Sequence, residues 1–176
     1  MPNFQKSKNI GNFGEKLISN YLRLANIECE PNQNKETRSD YDLVCKVGKK
    51  KFTIEVKLDF LASKTGNLAI EVGNTNTGKD SGLLITKADL WCVILKDSEN
   101  WVVFLTRTSE LIKYVNSHQG RKINGAGDGN ANLILYKTDD ILSIFKRIDN
   151  LGKIMSDKID YTGIEKTIRG LLNGKS

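Results

Sequence analysis

The stretch from Asp42 to Lys57 constrains this chain more than any other. An apolar run with a carboxylate at its head, Asp42-Leu43-Val44-Cys45-Lys46-Val47, meets a turn at Gly48 and Lys49. A second run follows, Phe52-Thr53-Ile54-Glu55-Val56-Lys57. Two such runs around a turn predict a hairpin. Alternate residues of a strand share a face, so Glu55 and Lys57 lie together and Val56 points the other way, into a core. Antiparallel pairing then carries Asp42 opposite the far end of the second strand. Two carboxylates and one ammonium meet at one edge of a sheet.

A pair of carboxylates can hold a hard divalent cation, which keeps most of its waters and needs few protein oxygens. Such a cation polarises a phosphodiester and acidifies a bound water, and a lysine beside it can orient or deprotonate that water or offset developing charge. Charged and apolar residues also alternate along any half-exposed strand, so the rest of the chain has to weigh the trio.

At 176 residues, 39% hydrophobic and 27% charged, the chain suits one domain with a real core. Its 27 basic against 21 acidic residues give a net charge of +6, compatible with a polyanionic partner. The three cysteines, Cys29, Cys45 and Cys92, have no metal-like spacing. Cys45 and Cys92 sit in apolar runs and read as small core residues in a reducing compartment. No run approaches the ~20 apolar residues that span a bilayer, and the N-terminus does not read as a signal peptide.

Phe13, Leu17, Ile18, Tyr21, Leu22 and Leu24 recur at helical spacing and predict a helix over 12–26, capped by Asn12, after a loose segment 1–11. Glu15 falls in its first turn, where the helix dipole favours an acid whatever else it does. The polar stretch 28–40 predicts a loop, with Lys35 and Arg38 as candidate substrate contacts. A strand is expected over 68–72. It carries Glu71 among apolar neighbours, where a charge is unusual unless paired or functional. Asp59 continues the alternation of Glu55 and Lys57. The loop 73–82 lacks phosphate-loop spacing, although its Lys79 could meet a phosphate. A helical turn is expected over 86–89, buried hairpin strands over 90–95 and 101–105, and a helix over 108–116. The glycine-rich stretch 118–130 predicts a long loop whose Arg121 and Lys122 could approach a phosphate backbone. Its His118, the one histidine, reads as an ordinary loop residue. A strand over 133–136, a helix from Thr138 through Ile148 and a weakly helical tail complete the chain.

A helix with Glu15, a strand headed by Asp42, and a strand ending in Glu55-Val56-Lys57 resemble the PD-(D/E)XK nuclease superfamily, the restriction-endonuclease-like fold. That pattern is an acid, a spacer, then Glu-X-Lys. Here the spacing from Asp42 to Glu55 is 13 positions. Glu15 is similar to the acid that many members, Holliday-junction resolvases among them, carry on the first helix. Tyr41 stands where the family name has proline, and Asp40, an alternative acid, precedes the apolar strand. The resemblance covers residues 12–105.

It implies an α/β (α+β) fold: a restriction-endonuclease-like core with a mixed central β-sheet flanked by helices in αβββαβ order. The nuclease domain would span 1–150 and a C-terminal helical extension, a dimer contact or a lid, 151–176. It further implies a Mg²⁺-dependent DNA endonuclease, with Mn²⁺ substituting, of homing or restriction type from a phage or mobile element. The alternatives are a structure-specific nuclease such as a Holliday-junction resolvase, and a non-catalytic DNA-binding protein that keeps the fold. Asp42 and Glu55 would hold the metal with the Val56 carbonyl as a third oxygen. Lys57 would position or activate the water and Glu15 would support the site. Lys79, Arg121 and Lys122 would contact DNA phosphates. A homodimer, an intracellular (cytoplasmic or phage-encoded) setting and no membrane partner complete the expectations.

Overall fold

The computed structural model describes residues 4–34, 36, 40–97, 100–126, 130–150 and 162–174; Lys35 and Arg38 lie outside them. The chain opens with helix α1 (Phe4–Leu24) and strands β1 (Glu28–Pro31), β2 (Leu43–Val47) and β3 (Lys50–Asp59). A single turn, α2 (Ala62–Thr65), leads to β4 (Asn67–Asn74) and a 3₁₀ turn at Gly82–Leu84. Strands β5 (Leu90–Asp97) and β6 (Asn100–Arg107) precede α3 (Thr108–Ser117), β7 (Arg121–Ala126) and β8 (Ala131–Lys137). Then come α4 (Thr138–Leu142), β9 (Lys146–Asn150) and α5 (Thr162–Leu172).

The strands form two sheets: six strands in the order β1-β2-β3-β5-β6-β9, and three in the order β4-β8-β7. The expected hairpin is there, with Leu43 opposite Ile54 and Val47 opposite Lys50 across a turn in which Gly48 has φ 62°. Beside it β3 runs parallel to β5, pairing Glu55 with Trp91 and Lys57 with Val93. The fold is thus a mixed α/β architecture around a central sheet flanked by helices.

Alternation along β3 and β5 builds two cores. Ile54, Val56, Leu90, Cys92 and Ile94 face one side, where Ile18 and Leu22 of α1 and Ile164 and Ile168 of α5 cover them. Trp91, Val93 and Leu95 face the other side and pack with Leu68 and Ile70 of β4, Leu111 of α3 and Tyr136 of β8. The tail helix α5 therefore belongs to the first core; residues 151–161 lie outside the described ones.

Several elements depart from the sequence reading. Helix α1 begins at Phe4 rather than near Asn12; Ile10, three residues before Phe13, extends the apolar stripe by one turn, and the weak propensity of Asn9, Gly11 and Asn12 does not end the helix there. The expected loop 28–40 contains β1, whose one buried side chain is Cys29; a strand with a single apolar residue leaves no periodic signal. Cys29 lies in register with Cys45 and is joined to it by a disulfide, whereas the sequence reading left these thiols reduced. Residues 86–88 are not helical; Thr86 Oγ accepts the Ala88 N–H at 3.2 Å and donates to the Asp40 carbonyl at 2.9 Å, which ties the segment to the chain before β2. The glycine-rich stretch holds β7, which has no buried side chain and exists by its pairing with β8. The helix from Thr138 stops at Leu142, and residues 146–150 instead supply β9 to the open edge of β6, satisfying backbone groups that would otherwise be left at that edge. The strand carrying Glu71 pairs with β8 in the second sheet, not with the hairpin.

Candidate active site

Asp42 lies one residue before β2, just past the last ladder pair. Its N–H donates to the Ile54 carbonyl at 3.0 Å. Its carboxylate Oδ2 accepts the Val56 N–H at 2.7 Å. The side chain thus replaces the missing strand partner of β3, which fixes the carboxylate against the Glu55-Val56-Lys57 backbone. Glu55 is 8% exposed. Its Oε1 accepts from Lys57 Nζ at 2.6 Å. Lys57 also lies 5.4 Å from the centroid of the Trp91 ring, a distance at which the ring face attracts a cation. Val56 points away, into the first core, as the alternation requires.

The surroundings are held from three other elements. Gly14 of α1 sits over β3, where an added Cβ would stand 3.5 Å from Val56 and Leu58. This close seat puts the next residue, Glu15, near enough to Asp42 to repel its charge. Thr86 has one hydroxyl proton. It serves the Asp40 carbonyl at 2.9 Å, and the 3.4 Å contact to Glu55 Oε2 is the weaker one. Asp40 is tied down further by Lys87, whose Nζ meets its carboxylate at 2.9 Å and whose N–H meets its carbonyl at 2.8 Å. Asp40 is therefore a clasp, and Asp42 is the acid at the site.

Glu71 of β4 adds negative potential at Lys57 and is itself held by Ser81 Oγ at 2.6 Å. The 3₁₀ turn presses on it so closely that a Cβ at Gly82, which has φ 54°, would fall 2.5 Å from the Glu71 carbonyl oxygen. Asp59 is not part of the cluster; its Oδ1 accepts the N–H groups of Leu61 and Ala62 at 2.7 and 2.9 Å and so starts α2.

Burial raises the pKa of Asp42; the Val56 N–H and the Lys57 charge oppose that, and Glu15 adds to it. Burial likewise raises Glu55, Lys57 pulls it down and Asp42 pushes it up, with the Lys57 and Thr86 hydrogen bonds lowering it. For Lys57 burial alone would depress the pKa, but the Glu55 carboxylate, its hydrogen bond, and the Asp42 and Glu71 charges outweigh it and leave the value raised. Lys57 is therefore an ammonium at neutral pH. It can donate and neutralise; it cannot accept a proton.

Three acids that repel one another around a buried strand edge make a donor set suited to a hard divalent cation, which would relieve that repulsion. Asp42 and Glu55 with the Val56 peptide oxygen are the residues placed to hold it. Among the described residues no group of three or more His, Cys, Asp and Glu side chains forms a ready cage, so water would have to complete the coordination.

Asp42, Glu55 and Lys57 are brought together and Glu15 lies beside them. Lys79, Arg121 and Lys122 are not: all three are exposed on the second sheet and its turn. His118 stacks on Tyr114 with centroids 4.0 Å apart, and its Nδ1 lies 3.0 Å from the Tyr114 carbonyl, a structural role. Sequence reasoning gave no role to Thr86 or Trp91. Each reaches the site only through pairing over a long sequence separation, and neither carries a local signal. Glu71 was visible as a charge among apolar residues, but its target was not.

No protein-family model and no curated protein matches the sequence. Two solved structures are similar over nearly the full length. One is a bacterial homing endonuclease, I-Ssp6803I, at 15% identity, with 95% of this chain and 93% of that chain covered and a TM-score of 0.42. The other is D212, a nuclease from a fusselovirus, at 12% identity, with 100% and 98% covered and a TM-score of 0.42. Likeness at this level carries no argument, and the reading below stands on the residues. Among the described residues no helix is long and apolar enough to cross a membrane.

Proposed function

We propose that the protein is a divalent-metal-dependent DNA endonuclease, with Mg²⁺ as the resident ion and Mn²⁺ able to replace it. The observation that carries this reading is the convergence of Asp42, Glu55 and Lys57 on one edge of β3, with the Asp42 carboxylate anchored on the Val56 N–H. Asp42 and Glu55, with the Val56 carbonyl, hold the ion, and Glu15 raises the negative potential that attracts it. When bound, the ion polarises the phosphodiester and makes a coordinated water more acidic.

Lys57 supplies the rest. As an ammonium it donates hydrogen bonds to the attacking water or to a non-bridging phosphate oxygen. It also offsets the charge that grows as the water oxygen bonds to phosphorus and the phosphorus–oxygen ester bond breaks. In this role Lys57 keeps its proton, and the water's proton leaves to solvent or to a substrate oxygen. Trp91 packs against the ammonium and limits its freedom. The basic balance of the chain, +6 overall, suits a polyanionic substrate.

The test is to incubate the protein with supercoiled plasmid, linear duplex and a synthetic four-way junction, with Mg²⁺, with Mn²⁺ and with chelator. Metal-dependent cutting of plasmid and duplex, absent in Glu55→Gln, is expected. Cutting of the junction alone would replace this reading by a junction resolvase. DNA binding without cutting in either metal would leave a non-catalytic binder.

A further inference from the structure

Outside the carboxylate cluster, one concavity combines amide side chains with a lysine. It lies between the end of α3 and the β7–β8 ribbon and has a volume of about 550 Å³. Asn116, His118, Gln119, Lys122, Asn124 and Asn132 line it, with no carboxylate among its lining residues. The other described grooves each include at least one acid, such as Glu28, Asp140 or Glu110. Asn116, Gln119, Lys122 and Asn124 are exposed. The ribbon itself is stiffened by a polar ladder: Thr75 Oγ donates to Asn132 Oδ1 at 2.8 Å and accepts the Gly125 N–H at 3.1 Å. Amide side chains are thus offered on a braced, two-stranded support.

The groove shares β4 and the segment after it with the site already described. Val72 and Leu84 form part of its wall. Their near neighbours in the chain face the reacting edge: Glu71 lies within electrostatic reach of Lys57, and Thr86 touches Glu55. The groove and the carboxylate cluster are thus linked through β4 and the segment 82–86.

We infer that this amide-lined groove and its β7–β8 ribbon read base edges in the major groove of duplex DNA, making the protein sequence-selective. The inference rests on the nuclease reading above and goes beyond it. The major groove admits a two-stranded ribbon, and amide side chains form paired hydrogen bonds with adenine there, while lysine addresses guanine acceptors. The half-buried apolar wall suits thymine methyl groups. A lining with a lysine and no acid matches a polyanion and would be a poor fit to a second copy of a chain that is itself basic.

The experiment is binding selection from a duplex library randomised over its central positions, using the full chain in chelator so that nothing is cut. Wild type should enrich a motif. Gln119→Ala and Asn124→Ala, both at exposed positions, should keep the wild-type melting temperature. They should lose about five- to a hundredfold of base discrimination at particular positions of that motif. Lys79→Gln, outside the groove lining, should lower affinity for all sequences alike. A wild type that enriches nothing, or variants that enrich the same motif with the same stringency, would overturn the assignment. Self-association abolished by these variants, with base preference intact, would overturn it as well and make the groove a contact between copies. The nuclease reading is judged separately, by metal-dependent plasmid cutting.

Discussion

The two sheets do opposite things with the same kind of backbone. Strand β5 is buried on both faces from Leu90 to Leu95, and β3 beside it buries Phe52, Ile54, Glu55 and Val56, so packing decides most side chains there. Glu55 and Lys57 are charges admitted to that environment as a hydrogen-bonded pair. Strand β7 buries nothing and is held by backbone pairing to β8. The first arrangement holds Glu55 and Lys57 in a hydrogen-bonded pair beside packed neighbours; the second leaves Arg121, Lys122 and Asn124 exposed. Rigidity and adaptability are assigned to different sheets, and the site lies where they meet.

The sharpest way to expose this division is to remove Lys57. Lys57→Ala should lower single-turnover cleavage by about 10²–10³-fold, the scale for losing one charge-stabilising donor, with DNA affinity nearly unchanged by electrophoretic shift. Cleavage within a few-fold of wild type would remove Lys57 from the chemistry. In stability, Phe52→Ala in the large sheet should cost about 3–5 kcal/mol in urea unfolding, since Phe52 is 2% exposed. Ile123→Ala on β7 should cost about 1 kcal/mol or less. Equal losses would mean that the two sheets unfold as one equally packed unit. Gly82→Ala should destabilise by more than about 1 kcal/mol, because it meets both a left-handed φ and the Glu71 carbonyl. It should also slow cleavage by shifting Glu71 and Thr86.

The pH response carries a definite sign. Asp42 and Glu55 are held above their ordinary values of 3.8 and 4.5. The folded state therefore binds more protons than the unfolded one as pH rises through those values. The stability from these groups is complete below their ordinary values and is lost as pH climbs through the raised ones. The metal-free melting temperature should thus carry a component that falls as pH rises above about 4 and that Glu55→Gln reduces. Mg²⁺, which favours the ionised carboxylates, should offset that fall. A profile identical in Glu55→Gln would contradict the assigned repulsion. The smallest effect is expected in the salt dependence of binding. Neutralising Arg121 and Lys122 should each reduce the slope of log affinity against log salt by about 0.9.

What the sequence disclosed follows the same split. Two-sided burial writes a long apolar run at β5, and one-sided burial writes alternation at β2 and β3, so these strands and the placing of Asp42, Glu55 and Lys57 at one sheet edge were legible. Elements that bury almost nothing wrote no pattern: β1 has only Cys29, and β7 has glycines and cations. Ile141, Phe145 and Ile148 recur at helical spacing, yet the bare edge of β6 drew residues 146–150 into a strand. Asp42 could be chosen over Asp40 because an apolar strand follows it. Thr86 could not be chosen at all, since its role depends on a carbonyl at Asp40, 46 positions away.

One pairing has a wider implication. Strands β3 and β5 are parallel neighbours, and no tight turn can join such a pair. The chain must travel from Phe60 to Asp89 before it returns. That obligatory excursion contains β4, the strand on which the outer ribbon is assembled. The connection that the parallel pair demands is therefore also the support on which β8 and then β7 are laid, and Leu68, Ile70 and Leu83 anchor it in the second core, while the strands that carry Glu55 and Lys57 stay as they are.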